Sequence, residues 1–327
     1  RQRQMCIRDR LSAMPLNAQR EAKQIGDFKE SISLNEHLRG TKRTLQYRPD
    51  GDEFVCVNGK NRYTRALYGS HSPFRVETSD RPVFAFYNNG RGGNISFKVI
   101  LRDGTELALD CTGHCESRYS AGKRTYYLTD PSWGKGELRI SVLALADMDG
   151  AIWRFSPSNM PKGAILRWQH GGATGKRLSR NGDMGVDPAD CFELPVEATD
   201  LVTGELPLQK EVYLVRGEVP EGYNVRKLYQ QAEAASLALA SHLKIETPDP
   251  YLNTLGGALV AAADGIWDGQ VWLHGAIGWR MPLSGWRAGY TGDALGWHDR
   301  ARTHFDAYAA SQVTDVPNTC LLYTSPS

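Results

Sequence analysis

The sequence has few cysteines, almost no net charge and no long apolar run. Its 327 residues include six cysteines, and 39 basic against 37 acidic side chains leave a formal charge of +2. So few thiols exclude a disulfide scaffold, and so balanced a charge argues against a nucleic-acid binder, which needs a basic face. No stretch approaches the roughly 18 apolar residues of a membrane span. The length and composition predict a globular protein of about two domains.

The two ends of the chain differ from the sequence between them. Residues 1–10 and 320–327 resemble translated sequencing-adapter read-through more than natural termini, the alternative being two natural tails. On the first interpretation, the sequence is an internal piece of a longer gene product and any signal peptide lies outside it. We then expect the chain to be inactive by itself.

The run from Cys111 to Cys115, which includes His114, has the spacing of a metal-ligand pair. Structural zinc needs four ligands, usually supplied by two such pairs, and the sequence contains no second pair. A hairpin loop with incidental thiols is therefore favoured over a metal knuckle. No metal and no cofactor is expected.

The segment 11–222 shows the alternation and turn residues of antiparallel strands and predicts a β-sandwich domain. Asn-Gly and Asp-Gly pairs suit tight hairpin turns. The predicted hairpins pair 54–57 with 63–68, 95–101 with 107–109, and 138–142 with 152–155. Three further segments resemble phosphate or calcium loops but lack their remaining ligands, and are interpreted as turns: 90–93, 147–150 and 171–176.

From residue 223 the apolar period becomes helical. One stripe runs from Leu228 to Leu243, and a second, more buried one runs from Leu252 to Ile266. Gly256 and Gly257 inside the second helix cost about 1 kcal/mol each relative to alanine, which predicts that another backbone approaches closely there. A third helix is predicted from 291 or 292 to about 313, with Asp293 in its first turn.

The segment between Trp267 and Trp297 contains five of the eight tryptophans, interleaved with arginine, histidine and aspartate. Tryptophan faces stack on sugar rings, and charged side chains supply directed hydrogen bonds. The segment therefore predicts a sugar site, the alternative being an aromatic loop that packs the end of a helical domain. The candidate substrate-binding residues are Trp279, Arg280, Trp286, Arg287, Tyr290 and Trp297.

The run Gly289-Tyr-Thr-Gly-Asp-Ala294 resembles the motif of α-L-rhamnosidases and related six-hairpin glycosidases. The wider segment 251–316 resembles poorly characterised proteins of gut-bacterial polysaccharide-degradation loci. The resemblance implies a β-sandwich followed, over 223–319, by a linker helix and the first helices of an incomplete (α/α)6 catalytic toroid. It also implies a periplasmic or secreted carbohydrate-active enzyme.

Within this resemblance, Asp293 matches the active-site aspartate and Arg287 matches the arginine shortly before it. The chain departs from the family at Trp286, since the rhamnosidases carry an acidic residue directly before that arginine. The family's proposed general acid is therefore missing from its expected place.

Two reactions remain open for a glycan substrate. Hydrolysis of a glycosidic bond in a complex, plant-type glycan needs two carboxyl groups about 5–9.5 Å apart. Asp293 and Asp299, predicted in one helix, project in different directions, so the second carboxylate is expected from a later hairpin. The catalytic candidates are Asp293, His298 and Asp299.

The alternative reaction is elimination by a polysaccharide lyase. Arg280 or Arg287 would neutralise the uronate carboxylate, and Tyr290 or His298 would remove the neighbouring proton. His298 is equally compatible with a packed helix residue. A non-catalytic protein that binds oligo- or polysaccharides remains a third possibility, and the sequence does not fix an oligomeric state.

Overall fold

The computed structural model describes residues 46–88, 91–177, 201–275, 282 and 286–312. Fourteen strands and four helices lie within these ranges. The strands are β1 Arg48–Asp50, β2 Glu53–Val57, β3 Arg65–Leu67, β4 Arg75–Thr78, β5 Phe84–Asn88, β6 Arg91–Ile100, β7 Glu106–Ala108, β8 His114–Ser120, β9 Lys123–Thr129, β10 Glu137–Ala144, β11 Gly150–Ser158, β12 Ile165–Arg177, β13 Val202–Pro207 and β14 Val212–Gly217. The helices are α1 Val225–Ala240, α2 Pro250–Gly265, α3 Trp286–Ala294 and α4 His298–Ala310.

The strands form two seven-stranded antiparallel sheets. The first has the order β1-β2-β8-β9-β10-β11-β14. The second has the order β13-β12-β6-β5-β4-β3, and β7 pairs with β6. Side chains from both sheets interlock in one apolar core, so the strands form a β-sandwich followed by helices.

Aromatic rings fill the centre of the sandwich core. The Phe84 ring of β5 lies 5.7–5.8 Å from the rings of Phe97, Tyr126 and Trp153, each in an edge-to-face arrangement. Such pairs contribute about 0.5–1.5 kcal/mol each beyond the area that they bury. Phe84 therefore connects strands of both sheets through one side chain.

A buried ion pair also crosses between the sheets. Arg124 of β9 and Asp80, which follows β4, are fully buried and lie 3.6 Å apart. Arg124 donates to the Ser79 carbonyl and the Ser117 hydroxyl, while Asp80 accepts from the Asn61 amide. Such hydrogen bonds offset part of the cost of burying the two charges, although the Nε and Nη1 of Arg124 have no hydrogen-bond partner among the described residues.

The helices begin with side-chain caps and pack on the sandwich. The Asn224 side chain accepts from the Lys227 amide at the start of α1, and Asp249 accepts from the Tyr251 amide at the start of α2. Helix α1 buries Tyr229 against the outer face of β10, β11 and β14. None of the described helices is long and apolar enough to cross a bilayer.

The end of α2 is fixed on the sandwich by Arg75, a fully buried residue of β4. Its guanidinium donates to the carbonyls of Ser72, Phe74 and Gly265, the last residue of α2. Arg75 also lies 4.7 Å above the ring of Tyr68. A Cβ on Gly265 would meet that ring at 2.3 Å, so only glycine fits there. A cation at a helix C-terminus is favoured by the helix dipole.

Two predicted hairpins are confirmed, and one is wrong. Strands β6 and β7 pair across 103–104, and β10 and β11 pair across 149–150. Strand β2, however, pairs with β1 and β8 in the first sheet, whereas β3 lies in the second sheet. Asn58 adopts a positive φ of 49°, and the chain leaves the first sheet there instead of turning back.

The glycine-rich segment 171–176 is part of β12 and not a turn. Gly171 and Gly172 pair with Asn94 and Gly93 of β6, and the register shifts between Gly172 and Arg177. Glycine inside a strand is typical of such an irregularity. Residues 147–149 do form bends, as predicted. The turn predicted at 90–93 is wrong for residues 91–93, which begin strand β6, and Gly90 lies outside the described residues.

Two helix predictions also need correction. Helix α2 buries Gly256 and Val260, whereas Leu252, Leu255 and Leu259, predicted on its buried face, are 36–47% exposed. The close approach predicted at the glycines is confirmed, because a Cβ on Gly256 would lie 2.9 Å from the Leu243 carbonyl oxygen. The predicted third helix is two helices, α3 and α4, with a break at 295–297.

We expect the buried carboxyl group of Glu77, on β4, to make stability depend on pH. Burial raises its pKa from 4.5 to about 8, against the opposing effect of Arg75. Because the folded-state pKa lies above the unfolded one, stability is greatest below pH 4.5 and falls as pH rises through the window from 4.5 to 8. The slope from this group is about 1.4 kcal/mol per pH unit.

The variant Glu77→Gln should lose this slope and unfold at higher urea concentration than the wild type at pH 8. Glu137→Gln, at an exposed position of β10, is the matched control and should keep the slope. Identical pH profiles for Glu77→Gln and the wild type would contradict the assignment.

Candidate functional site

The turn between α3 and α4 brings two of the three predicted catalytic residues, Asp293 and His298, together. Gly296 has a φ of 74°, and its amide donates to the Asp293 carbonyl at 2.9 Å. The Trp297 amide donates to the Gly292 carbonyl at 2.8 Å. These are the two hydrogen bonds of a Schellman motif, which ends a helix at a glycine. The chain therefore reverses direction within three residues.

Asp293 and His298 form a pair across this turn. The His298 Nδ1 and the Asp293 Oδ1 lie 2.8 Å apart, and the two side chains are 71% and 58% exposed. Since a carboxylate can only accept, a neutral His298 carries its proton on Nδ1 and keeps a lone pair on Nε2. A carboxylate that orients an imidazole in this way prepares its other nitrogen to act as a base.

The position of Asp293 differs from the prediction. It lies in the last turn of α3, not in the first turn of a longer helix. The helix dipole there disfavours a negative charge. The expected helix N-terminus is therefore absent at Asp293, whose carboxylate makes a hydrogen bond with His298 instead.

Three further candidates lie around this pair. Arg287 and Tyr290, three residues apart on α3, share one exposed face, and Tyr290 is 66% exposed. Half-buried Trp297 packs with its ring 4.4 Å from the Arg300 guanidinium. We call Arg287, Tyr290, Asp293, Trp297 and His298 the α3–α4 surface.

Other predicted site residues do not join this surface. Asp299 is exposed in the first turn of α4, but it is one residue beyond His298 and so points about 100° away around the helix. Trp279 and Arg280 lie outside the described residues. Trp286 provides the first residue of α3.

Part of the aromatic segment builds a core, as the alternative interpretation expected. Trp267 and Trp272 are 4% and 1% exposed, and their rings lie 4.6 Å apart. The Trp272 ring also lies against α3, where a Cβ on Gly292 would meet it at 2.3 Å. A Cβ on Gly289 would meet the Phe305 ring at 2.2 Å. Both motif glycines are therefore required by packing.

A cleft that no sequence pattern predicts lies between the sandwich and the helices. Its volume is about 220 Å³, and its walls are mostly small side chains. The lining residues are Tyr68, Gly69, His71, Gly122, Ala144, Ala146, Ala232, Ala235, Ser236, Leu239, Ala261, Asp264 and Arg300.

Asp264, in the last turn of α2, is the centre of the polar end of this cleft. Its Oδ1 lies 3.1 Å from the His71 Nε2 and 2.7 Å from an Arg300 nitrogen. Burial acts to raise the pKa of Asp264, but the hydrogen bonds from His71 and Arg300 outweigh it and hold that pKa below its usual value. His71 and Asp264 are 193 residues apart in sequence, so no local pattern could have paired them.

The Asp293–His298 pair and the cleft lie on different faces of α4. Residues two apart on a helix are separated by about 200°, so His298 points away from the side on which Arg300 reaches Asp264. The α3–α4 surface borders the cleft at Trp297, whose ring packs on Arg300. Asp264 is therefore not the carboxylate that faces Asp293.

The segment from Cys111 to Cys115 is not the predicted hairpin loop, because it connects β7 of the second sheet to β8 of the first. Its two thiols occupy different environments. Cys111 is exposed at the end of a short 3-10 turn, whereas Cys115 is buried in β8. Burial raises the pKa of the Cys115 thiol to about 12. Among the described residues, no group of three or more His, Cys, Asp or Glu side chains could hold a metal ion.

We expect Gly292→Ala to destabilise the protein. In a helix interior, this substitution ordinarily stabilises by about 1 kcal/mol, but here the new methyl group would overlap the buried Trp272 ring, and overpacking costs about 1–3 kcal/mol. Urea denaturation measures the sign. Thr291→Ala, at the exposed neighbouring position, is the control and should change stability little. If Gly292→Ala is more stable than the wild type, packing against Trp272 is not the reason for glycine at this position.

Comparison with known proteins adds one partial match. Residues 89–217, which cover strands of both sheets, match the family model described as a domain of unknown function (DUF4450). No curated protein matches the chain. The match covers strands β6 to β14 and does not include β1 to β5, the helices or the α3–α4 surface.

Proposed function

We propose that the protein is a carbohydrate-active enzyme that hydrolyses glycosidic bonds in complex glycans at the α3–α4 surface. One observation carries the proposal: the exposed Asp293–His298 pair, 2.8 Å apart, lies in a surface that also contains Tyr290, Trp297 and Arg287. Exposed aromatic rings and directed polar groups are the combination that binds sugar rings. The resemblance of the segment 289–294 to six-hairpin glycosidases supports the same function.

In this proposal, Tyr290 and Trp297 contact the apolar faces of the sugar, and Arg287 donates to its oxygens. Asp293 orients His298, and the free lone pair on the His298 Nε2 accepts the proton of the attacking water. Hydrolysis also needs an acid to protonate the leaving oxygen. Neither Asp299 nor Asp264 faces Asp293, so this acid comes from residues beyond the described ranges.

The proposal includes the start of an (α/α)6 toroid and an extracytoplasmic location. The exposed leucines of α2, at positions 252, 255 and 259, support the first part, because helices of a closed toroid bury such stripes against their neighbours. The location in the periplasm or outside the cell rests on the family resemblance alone.

A second reaction, elimination from a uronate-containing glycan, is favoured by the same hydrogen bond. Elimination requires a base that removes the proton next to the uronate carboxylate. His298, oriented by Asp293, is such a base. Arg287 would neutralise the uronate group. The described residues therefore supply the base and the cation of a lyase, whereas they lack the second carboxyl group of a hydrolase.

The binding part of the proposal predicts that Tyr290→Ala weakens glycan binding by about 1–3 kcal/mol, through lost ring contact and a lost hydrogen-bonding group. Affinity electrophoresis in gels containing soluble plant polysaccharides measures the change. Tyr223→Ala removes a tyrosine that is 47% exposed before α1, and serves as the matched control. If every polysaccharide that slows the wild type slows Tyr290→Ala equally, the α3–α4 surface is excluded as the glycan-binding site.

The products of the reaction distinguish hydrolysis from elimination. Hydrolysis predicts that the wild type incorporates oxygen from water and releases no ultraviolet-absorbing product, and that Asp293→Asn abolishes turnover while binding survives. Elimination predicts an absorbing unsaturated uronate and loss of turnover in His298→Gln and Arg287→Gln. Asp306→Asn, on an exposed position of α4, is the control. Binding without either product would make the protein a non-catalytic glycan binder.

A further inference from the structure

The cleft between the sandwich and the helices is shaped to hold a small ligand. Alanine or glycine occupies seven of the thirteen lining positions, so the walls are apolar and leave the space open. About 220 Å³ is less than the roughly 300–1,000 Å³ of sites for drug-sized molecules. The cleft therefore suits a ligand of a single ring.

The polar end of the cleft is built from three elements that are far apart in sequence. His71 comes from the segment after β3, Asp264 from α2 and Arg300 from α4. Asp264 uses its Oδ1 for both hydrogen bonds. Its Oδ2 has no hydrogen-bond partner among the described residues, and the side chain keeps 12% of its surface exposed. A carboxylate oxygen in this position accepts hydrogen bonds from a ligand in the cleft.

The charges of this end decide the class of ligand. Asp264 and Arg300 form an ion pair of opposite charges, and the His71 Nε2 makes a hydrogen bond to the same carboxylate oxygen. A charged ligand would lose its hydration without meeting a net opposite charge, which is costly in a partly buried site. A neutral ligand with several hydroxyl groups can donate to the Asp264 Oδ2 and accept from Arg300, while its C–H faces meet the alanines.

We propose that this cleft binds one neutral saccharide ring, at a site separate from the α3–α4 surface. The site stands on its own geometry and does not require that the α3–α4 surface binds or cleaves glycans. A ring of about twelve heavy atoms predicts a millimolar dissociation constant.

Ala235 provides a test that leaves the polar residues intact. Its side chain lines the cleft yet lies on the exposed part of α1, so a larger side chain fills the cleft without entering a core. Ala234 is exposed on the same helix and is not among the lining residues. The pair Ala235→Trp and Ala234→Trp therefore separates blocking of the cleft from the general effect of an added tryptophan.

The probes are D-glucose, D-galactose, D-mannose and L-rhamnose, with D-glucuronate and D-galacturonate as charged counterparts. Saturation-transfer difference NMR on the full chain identifies which of them bind, and titration gives the dissociation constants. We expect at least one neutral sugar to bind in preference to the uronates. Ala235→Trp should weaken it by at least about tenfold, whereas Ala234→Trp should leave the constant unchanged.

Two further variants separate this site from the proposed catalytic surface. Tyr290→Ala should leave monosaccharide binding intact, and Asp264→Asn, if it melts as the wild type does, should weaken it. The proposal is overturned if no neutral sugar binds, if Ala235→Trp binds as well as Ala234→Trp, or if Tyr290→Ala alone abolishes binding. The last result would assign the sugar to the α3–α4 surface and leave the proposed function standing.

Discussion

The carbonyl of Gly265 accepts a hydrogen bond from the buried guanidinium of Arg75, and the positions of the helices depend on this contact. Arg75 belongs to β4, inside the sandwich, while Gly265 is the last residue of α2. An arginine without exposed surface must have its donors satisfied. Any displacement of α2 would remove one of those partners from a buried charge, so the end of the helix is held in one place.

Both candidate sites follow from this anchored end of α2. One residue before Gly265, Asp264 reaches His71 on the sandwich and Arg300 on α4, which closes the cleft. A few residues later, Trp267 and Trp272 build the small core on which α3 and α4 rest. The α3–α4 surface is thus connected to the sandwich only through α2 and this small core. Its geometry depends on the packing of Trp272 against Gly292.

The predictions from sequence succeed where an element is decided by neighbouring residues and fail where distant contacts decide it. The hairpins around 103–104 and 149–150 carry strong turn residues and regular alternation, and both form. Asn58-Gly59 is an equally good turn signal, yet β2 pairs with β8. Contacts between strands that are distant in sequence decide this pairing, and the local turn residues do not. The helix break at Gly296 has a local cause, a positive φ, but glycine occurs at so many other positions here that its presence alone does not predict a break. The contact between His71 and Asp264 has no local signal at all.

The fourteen strands of the described residues lie between residues 48 and 217, so the ribosome has made all of them before it makes α2. At about 5–20 residues per second, roughly fifty further residues take a few seconds to emerge. During that interval, the groups of β4 and the following loops that will hold α2 face water. Arg75 therefore begins as a hydrated cation on a nascent domain and becomes a buried one only when the helix arrives. The docking of α2 is in this sense a dehydration step.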